Sequence, residues 1–222
     1  MANRRSRQTA YHPDRKYDPA TGTVTFKTTV PGSFAVGYVH KSFKDLNRYG
    51  WARKAIEVMA SKGVIKGVAA DTYVPSAPVK RADFILLLVR ALGLSGDTAS
   101  GASFSDVPSD AYYADAVAVA KKLGIVTGVG NGQFNPEQSV TRQDMMVMIG
   151  RAMTAAGHSL NRGSAADLAG FKDRANVASY AVQSAATLVK SGIVEGSGEQ
   201  INPRGITTRA EAAVVIYRIY NK

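Results

Sequence analysis

The chain has 222 residues, of which 45% are hydrophobic and 20% are charged, and these values are typical of a globular protein. It contains no cysteine, which excludes disulfides, cysteine-based metal sites and thiol catalysis. No apolar run reaches the ~18 residues that a membrane-spanning helix requires. The formal net charge of +11 divides into +5 from residues 1–42 (seven basic, two acidic) and +6 from residues 43–222. This basic balance favours a polyanionic partner but does not choose among nucleic acid, anionic lipid and acidic glycan.

Residues 1–42 read differently from the rest of the chain. The alternating segment 23–27 and the segment 33–39 are strand candidates, with turns predicted at 19–22 and at Pro31-Gly32. An isolated hairpin is marginally stable in water, so we expect a short N-terminal β-hairpin that belongs to the end of an upstream β-domain. The basic N-terminus lacks a hydrophobic signal core, which fits either a cytoplasmic protein or a piece of a larger exported one.

From residue 43 onward, one sequence pattern occurs three times. Each copy has Phe-x-Asp, an early aromatic residue, Gly-Ile/Val-x-x-Gly, a loop with proline, and a closing polar motif that contains arginine. The first and second copies are offset by 61 residues at Phe43/Phe104 and again at Arg81/Arg142, and both markers shift by 67 residues to the third copy. Equal offsets identify three repeats, 43–94, 104–157 and 171–222, joined by connectors rich in glycine, serine, alanine and aspartate.

Each repeat is predicted to form a helix, a loop and a second helix. Apolar residues recur at helical spacing in the first segment, which ends at a glycine suited to a left-handed cap, and these glycines are Gly63, Gly124 and Gly192. The second helix opens with capping-box spacing at Thr141-x-x-Asp144 and Thr208-x-x-Glu211. The second helices are the most apolar, so we predict a mainly all-α fold with pseudo-three-fold symmetry and a central bundle of these helices.

The closing motif reads Thr-Arg-Ala-Glu at 208–211, Thr-Arg-Gln-Asp at 141–144 and Lys-Arg-Ala-Asp at 80–83. Together with the other repeated residues, it resembles the S-layer homology (SLH) domain over residues 43–222. Residues 14–40 look like the stretch that precedes such repeats in some surface enzymes. The resemblance implies a cell-surface anchor of Gram-positive bacteria that binds secondary cell wall polymer, often through terminal pyruvylated N-acetylmannosamine, in grooves between repeats. It also implies that the motif arginine contacts the pyruvyl carboxylate.

The candidate ligand-binding residues are the motif arginines, their preceding residues and the second glycine of each loop: Arg81, Arg142, Arg209, Lys80, Thr141, Thr208, Gly67, Gly128 and Gly196. An exposed guanidinium in the first turn of a helix would combine a carboxylate-shaped fork with free backbone N–H groups and the positive end of the helix dipole. Lys80 replaces the capping threonine, so repeat one either gains a second cation or is a degenerate repeat without binding. The glycines are read as turn formers first and as points of close sugar approach second.

Two further repeated positions allow more than one interpretation. Arg90, Arg151 and Arg218 lie within apolar helices, and we expect structural pairing with Asp45, Asp106 or Asp173. Trp51, Tyr112 and Tyr180 either belong to the core or stack on a sugar ring.

Catalytic chemistry finds no support in the sequence. His12, His40 and His158 lack partners at metal or triad spacing, and the acidic residues form no glycosidase-like pair, so we expect no metal, no cofactor and no enzyme activity. Nucleic-acid binding is disfavoured because no Lys/Arg-dense recognition helix is present and the tail carries much of the charge. The alternatives to a glycan-binding anchor are a protein-interaction or lattice-assembly module and an enzyme acting on wall polymers.

Overall fold

The computed structural model describes residues 16–18, 20–25, 39–96 and 104–222. In this part of the chain, six α-helices fall into three pairs, one pair in each predicted repeat. The first helices of the pairs are α1 (Gly50–Ser61), α3 (Ala114–Lys122) and α5 (Ser179–Lys190). The second helices are α2 (Arg81–Ala91), α4 (Arg142–Ala155) and α6 (Arg209–Tyr220). The predicted mainly all-α architecture is confirmed.

The first helices end as the glycine pattern predicts. Gly63 has φ +74°, its N–H donates to the Ala60 carbonyl, and the N–H of Val64 donates to the Met59 carbonyl. These two bonds satisfy carbonyls that the helix end would leave unpaired, as in a Schellman motif. The same bonds occur after α3 and α5, where Gly124 and Gly192 adopt φ +69° and +67°.

The second helices begin at the predicted caps. The Thr208 hydroxyl accepts from the N–H of Glu211, and the Glu211 carboxylate accepts from the Thr208 N–H at 2.8 Å. Thr141 likewise accepts from the N–H of Asp144. No side-chain cap is present at the start of α2, because the N-cap position is Lys80 and an ammonium group offers no acceptor.

The repeats interlock in a closed cycle. Each first helix packs against the second helix of the preceding repeat, so α3 lies on α2, α5 lies on α4, and α1 lies on α6. Helix α2 also contacts α4 and α6 at the centre. The cycle is closed by three backbone hydrogen bonds that follow one another around an axis: Val79 to Thr207 (3.0 Å), Thr207 to Val140 (2.9 Å) and Val140 to Val79 (3.0 Å), donor first.

The aspartate of each Phe-x-Asp sequence fixes the proline loop of its own repeat. Asp106 accepts from the N–H groups of Phe134 (2.8 Å) and Asn135 (2.7 Å). Asp45 and Asp173 accept equivalent pairs of bonds. The predicted pairing of these carboxylates with arginines is therefore wrong, because backbone N–H groups occupy their oxygens. The second bonded residue is left-handed in every repeat: Val74, Asn135 and Asn202 have φ +57°, +57° and +51°.

A two-stranded antiparallel hairpin lies near the N-terminus, with β1 (Lys16–Asp18) paired to β2 (Thr23–Thr25). Of the turn predicted at 19–22, residues 20–22 form a turn before β2, and Gly22 adopts φ +66° there. The partner strand predicted at 33–39 and the Pro31-Gly32 turn lie outside the described residues, except for Val39 and the residues that follow it.

The connector before repeat three is more ordered than the predicted loop. It contains a 3₁₀ helix (Ala165–Leu168) that packs on α5 and buries Leu168. Ser164 and Asp167 form a capping box at its start. A Cβ on Gly163 would lie 2.3 Å from the carbonyl carbon of Ala186 in α5, so only glycine allows this approach. Two further short 3₁₀ helices are present: Lys44–Leu46 directly follows Phe43, and Arg174–Asn176 precedes α5.

Candidate functional site

The motif arginines are the first residues of α2, α4 and α6. Arg81 and Arg142 are 9% and 8% exposed, and Arg209 is half-buried. The expectation of exposed first-turn side chains is therefore wrong for Arg81 and Arg142. The reason is that the proline loop of the next repeat covers the start of each second helix.

Backbone N–H groups at these helix starts are hydrogen-bonded rather than free. The N–H of Arg81 donates to the Gln138 carbonyl at 2.8 Å, and the N–H of Ala82 donates to the Pro136 carbonyl at 3.0 Å. The starts of α4 and α6 make the equivalent bonds to Gly205, Pro203, Ala77 and Pro75. An anion at these positions would have to be held by side chains, because the repeat that follows in the cycle already uses the N–H groups.

Each guanidinium crosses to the following repeat in the cycle. The Nε groups donate to the carbonyl oxygen of the residue that opens the proline loop: Arg81 to Phe134 (3.0 Å), Arg142 to Ile201 (2.9 Å) and Arg209 to Tyr73 (2.9 Å). In addition, Arg142 and Arg209 donate from Nη2 to loop carbonyls, those of Glu195 (3.3 Å) and Lys66 (2.9 Å). The guanidinium carbons of Arg81 and Arg209 lie 4.9 and 4.5 Å from the ring centroids of Phe134 and Tyr73.

These contacts place the motif arginine of one repeat beside the loop of the next repeat that holds Gly67, Gly128 or Gly196 (the glycine loop), and we call each of these three junctions a groove. The grooves pair Arg81 with the loop of repeat two, Arg142 with that of repeat three, and Arg209 with that of repeat one. We name each groove after its arginine. The Arg81 groove has a volume of about 400 Å³. Its lining comes from all three repeats and includes Arg81, Thr127, Gly128, Asp144, Arg151 and Tyr180.

The candidate glycines contact an aromatic ring of their own repeat. A Cβ on Gly67, Gly128 or Gly196 would lie 2.6, 2.8 or 2.4 Å from Cε1 of Phe43, Phe104 or Phe171. A side chain at these positions would displace the phenylalanine or the neighbouring loop carbonyl. Gly128 also has φ +81°, a conformation that favours glycine. The glycines therefore shape the loop, and only their backbone can face a ligand.

Trp51, Tyr112 and Tyr180 are 60%, 67% and 57% exposed, so their interpretation as core residues is wrong. The Tyr180 hydroxyl donates to Asp144 at 2.7 Å, and the Tyr112 hydroxyl donates to Asp83 at 2.5 Å. Burial of the hydroxyl end and the bond to Asp144 raise the pKa of Tyr180 to about 12. All three repeats have a Trp or Tyr at this position, whereas a core position would accept any apolar residue. This restriction to aromatic residues with a polar group is the sequence signal that could have placed them in the candidate site.

The remaining candidates mainly organise the helix starts. Thr141 and Thr208 use their hydroxyls as caps. Lys80 forms an ion pair with Glu137 of repeat two at 2.5 Å. That contact bridges two repeats at an exposed position, so the ammonium group of Lys80 already has an acidic partner.

The second set of arginines supports the glycine loops. Arg151 and Arg218 donate to the carbonyls of Ile125 (3.3 Å) and Ile193 (3.1 Å), and Arg218 also pairs with Glu195 at 2.7 Å. The predicted structural role agrees with these contacts, although the partners are different. Because Arg151 also lines the Arg81 groove, it adds positive charge there.

The described residues show neither a metal cluster nor a membrane-spanning helix. They contain no group of three His, Asp or Glu side chains placed to share a metal ion. Among their helices, none is both long enough and apolar enough to cross a bilayer.

Comparison with known proteins gives a consistent set of relatives. The chain is 35% identical over 210 residues to an amylopullulanase of Thermoanaerobacterium thermosulfurigenes, covering 93% of this chain and 11% of that protein. It is 34% identical to exoglucanase XynX of Acetivibrio thermocellus, covering 84% of this chain and 17% of the relative. A surface-layer 125 kDa protein of Lysinibacillus sphaericus is 28% identical, with 90% and 16% covered. The chain thus spans less than a fifth of the length of these relatives.

The S-layer homology domain model matches three segments, 42–85, 103–146 and 170–213, which together make up more than half of the chain. Each segment contains one glycine loop and ends just after the start of a second helix. Domains of this family are non-catalytic modules that anchor S-layer proteins and surface enzymes to the cell wall. With three such domains in tandem, the chain belongs to the S-layer homology family of cell-surface proteins.

Proposed function

We propose that this chain is a non-covalent anchor that binds an acidic glycan, the secondary cell wall polymer, through its terminal pyruvylated N-acetylmannosamine. The observation that supports the proposal is the groove that recurs between repeats. It combines an arginine from one repeat with a glycine loop from the next, and exposed aromatic rings recur in all three repeats. A guanidinium matches a carboxylate in shape and charge, and an aromatic face suits the apolar side of a sugar ring.

Binding at more than one groove gives the anchor its strength. A single charge-assisted contact of about 1.5–3 kcal/mol supports only modest affinity. Neighbouring grooves on one rigid module can engage several termini of the wall polymer, and the resulting avidity exceeds the affinity of any single groove. We propose that the chain tethers a larger surface polypeptide in this way.

Calorimetric titration of the chain with pyruvylated N-acetylmannosamine, beside N-acetylmannosamine without the ketal, tests the proposal. We expect binding of the acidic sugar only, and weaker binding at high salt because the contact is ionic. Binding of neither sugar by a chain with native helical content would contradict the proposal. That result would favour the alternative of a protein-interaction or lattice-assembly module, which sedimentation of the chain alone would then reveal as self-association.

A further inference from the structure

The three grooves differ in how the charge of the motif arginine is compensated. In the Arg142 groove, all three guanidinium nitrogens of Arg142 have partners. Nε donates to Ile201, Nη2 donates to the Glu195 carbonyl, and Nη1 forms an ion pair with Glu211 at 2.8 Å. The second arginine of this groove, Arg218, is paired with Glu195. Each of these two arginines is therefore paired with a glutamate, and its charge is compensated.

Arg81 is as buried as Arg142 but has fewer partners. Its Nε donates to the Phe134 carbonyl, and the Phe134 ring lies beneath the guanidinium. Within residues 39–96 and 104–222, no acceptor is hydrogen-bonded to its terminal nitrogens Nη1 and Nη2, and no carboxylate forms an ion pair with it. Burial lowers the pKa of Arg81, and the negative charge of nearby Asp144 opposes that shift only in part. A buried cation in this state is stabilised by an anion that enters the groove.

Two residue differences explain this contrast. The position of Glu211 is Asp144 in the Arg81 groove, and the shorter carboxylate is bonded to the hydroxyls of Thr141 (2.6 Å) and Tyr180 (2.7 Å). The position of Glu195 is Thr127, which has no charge. The Arg81 groove is thus lined by two arginines, Arg81 and Arg151, and one acid, Asp144, which leaves it with a net charge of +1.

In the Arg209 groove the position of Glu195 is Lys66, so this groove lacks the glutamates of the Arg142 groove, and it differs from the Arg81 groove in the bonding and burial of its arginine. Arg209 uses Nε and Nη2 for carbonyls of repeat one, and it is half-buried rather than buried. The acid at the Glu211 position is Asp83, whose carboxylate accepts from the Tyr112 hydroxyl.

We propose that the Arg81 groove is the primary site for a sugar that carries a carboxylate, and that the Arg142 groove is closed to such a ligand by its own glutamates. The carboxylate binds the terminal nitrogens of Arg81, with Arg151 as a second cation and the exposed ring of Tyr180 at the groove wall. This assignment rests on the proposed function. It makes repeat one, whose motif departs most from Thr-Arg-Ala-Glu, the source of the principal anion-binding side chain.

Calorimetric titration of variants with pyruvylated N-acetylmannosamine tests the assignment. Arg81→Gln should weaken binding about 10- to 100-fold, which is the loss of one charge-assisted hydrogen bond. The double variant Thr127→Glu/Asp144→Glu keeps Arg81 but gives its groove the acids of the Arg142 groove. It should lose binding to a similar extent, and the longer carboxylate at position 144 can still cap α4 through Thr141, as Glu211 does with Thr208 in α6. Unchanged affinity in this double variant would overturn the proposal.

The matched exchange in the other groove is Glu195→Thr/Glu211→Asp, which should add a binding site and raise the measured stoichiometry. Circular dichroism checks that each variant is folded. If the unmodified chain binds no acidic sugar, the proposed function itself fails. If it binds and Arg142→Gln, but not Arg81→Gln, abolishes binding, the proposed function stands and the ranking of the grooves is wrong.

Discussion

Removal of the Asp106 carboxylate should destabilise the fold and loosen the Arg81 groove together. Asp106 accepts two backbone bonds, 2.8 Å from Phe134 and 2.7 Å from Asn135. Bonds to a charged acceptor contribute about 1.5–3 kcal/mol each when they are buried. Since Asp106 is half-buried, water can replace part of both, and we expect Asp106→Ala to cost about 2 kcal/mol in total. For a protein of this size, that corresponds to a fall in Tm of about 4–8 °C.

Urea unfolding followed by circular dichroism measures the free energy of unfolding of this variant. Asp110→Ala is the matched control, because it removes the same charge from an exposed position four residues away and should change the stability by less than about 0.5 kcal/mol. Asp106→Ala should also weaken acidic-sugar binding, because the Phe134 carbonyl that orients Arg81 belongs to the loop that Asp106 fixes. A loss of stability no larger than that of Asp110→Ala would refute the reasoning.

Three further predictions follow from the repeats. Val74→Asn should raise the free energy of unfolding by about 0.5–1 kcal/mol, because a β-branched residue at φ +57° is strained and asparagine tolerates that conformation; unchanged or lower stability in urea would contradict this. Gly196→Ala should lower the free energy of unfolding by about 2 kcal/mol or more, because the new Cβ would lie 2.4 Å from the Phe171 ring. Gly170→Ala is the control: no atom lies within 4 Å of its Cβ position, so it should leave the thermal melt unchanged. Burial raises the pKa of Asp106, but the hydrogen bonds from the N–H groups of Phe134 and Asn135 together outweigh it, so the pKa in the folded state is lowered from 3.8. The contribution of Asp106 to stability is therefore complete above the unfolded-state pKa near 3.8 and is lost as the pH falls through the folded-state pKa. The difference in unfolding free energy between the unmodified chain and Asp106→Ala should be smaller at pH 3 than at pH 6.

The sequence predicted the helices well because their signals are local. Helical periodicity, the glycine after each first helix and the Thr-x-x-Asp/Glu caps all depend on residues within one or two turns. The arrangement of the helices could not be read in the same way. Nothing in the α1 sequence indicates that it packs on α6 rather than on the helix next to it in the chain. The 3₁₀ helix at Ala165–Leu168 was missed because its stability comes from contacts with α5.

The candidate site was predictable in its residues but not in their environment. The sequence singled out Arg81, Arg142 and Arg209 by their repetition. It did not indicate that the backbone N–H groups beside them are occupied, because the acceptors lie more than 50 residues away in the chain. For the same reason, the ion pair between Arg142 and Glu211 could not be foreseen, and both residues look equivalent to their counterparts in the other repeats.

The closed cycle of repeats sets this module apart from an open array of repeats. In a solenoid, each unit contacts only its neighbours, and units can be added or deleted at the ends with roughly additive effects on stability. Here the packing of α1 on α6 gives the first and last repeats a shared interface. Deletion of any one repeat would expose two apolar faces at once, so we expect a two-repeat truncation to be much less stable than the three-repeat chain. Under a pulling force, the three repeats should therefore unfold together in one cooperative step rather than one after another.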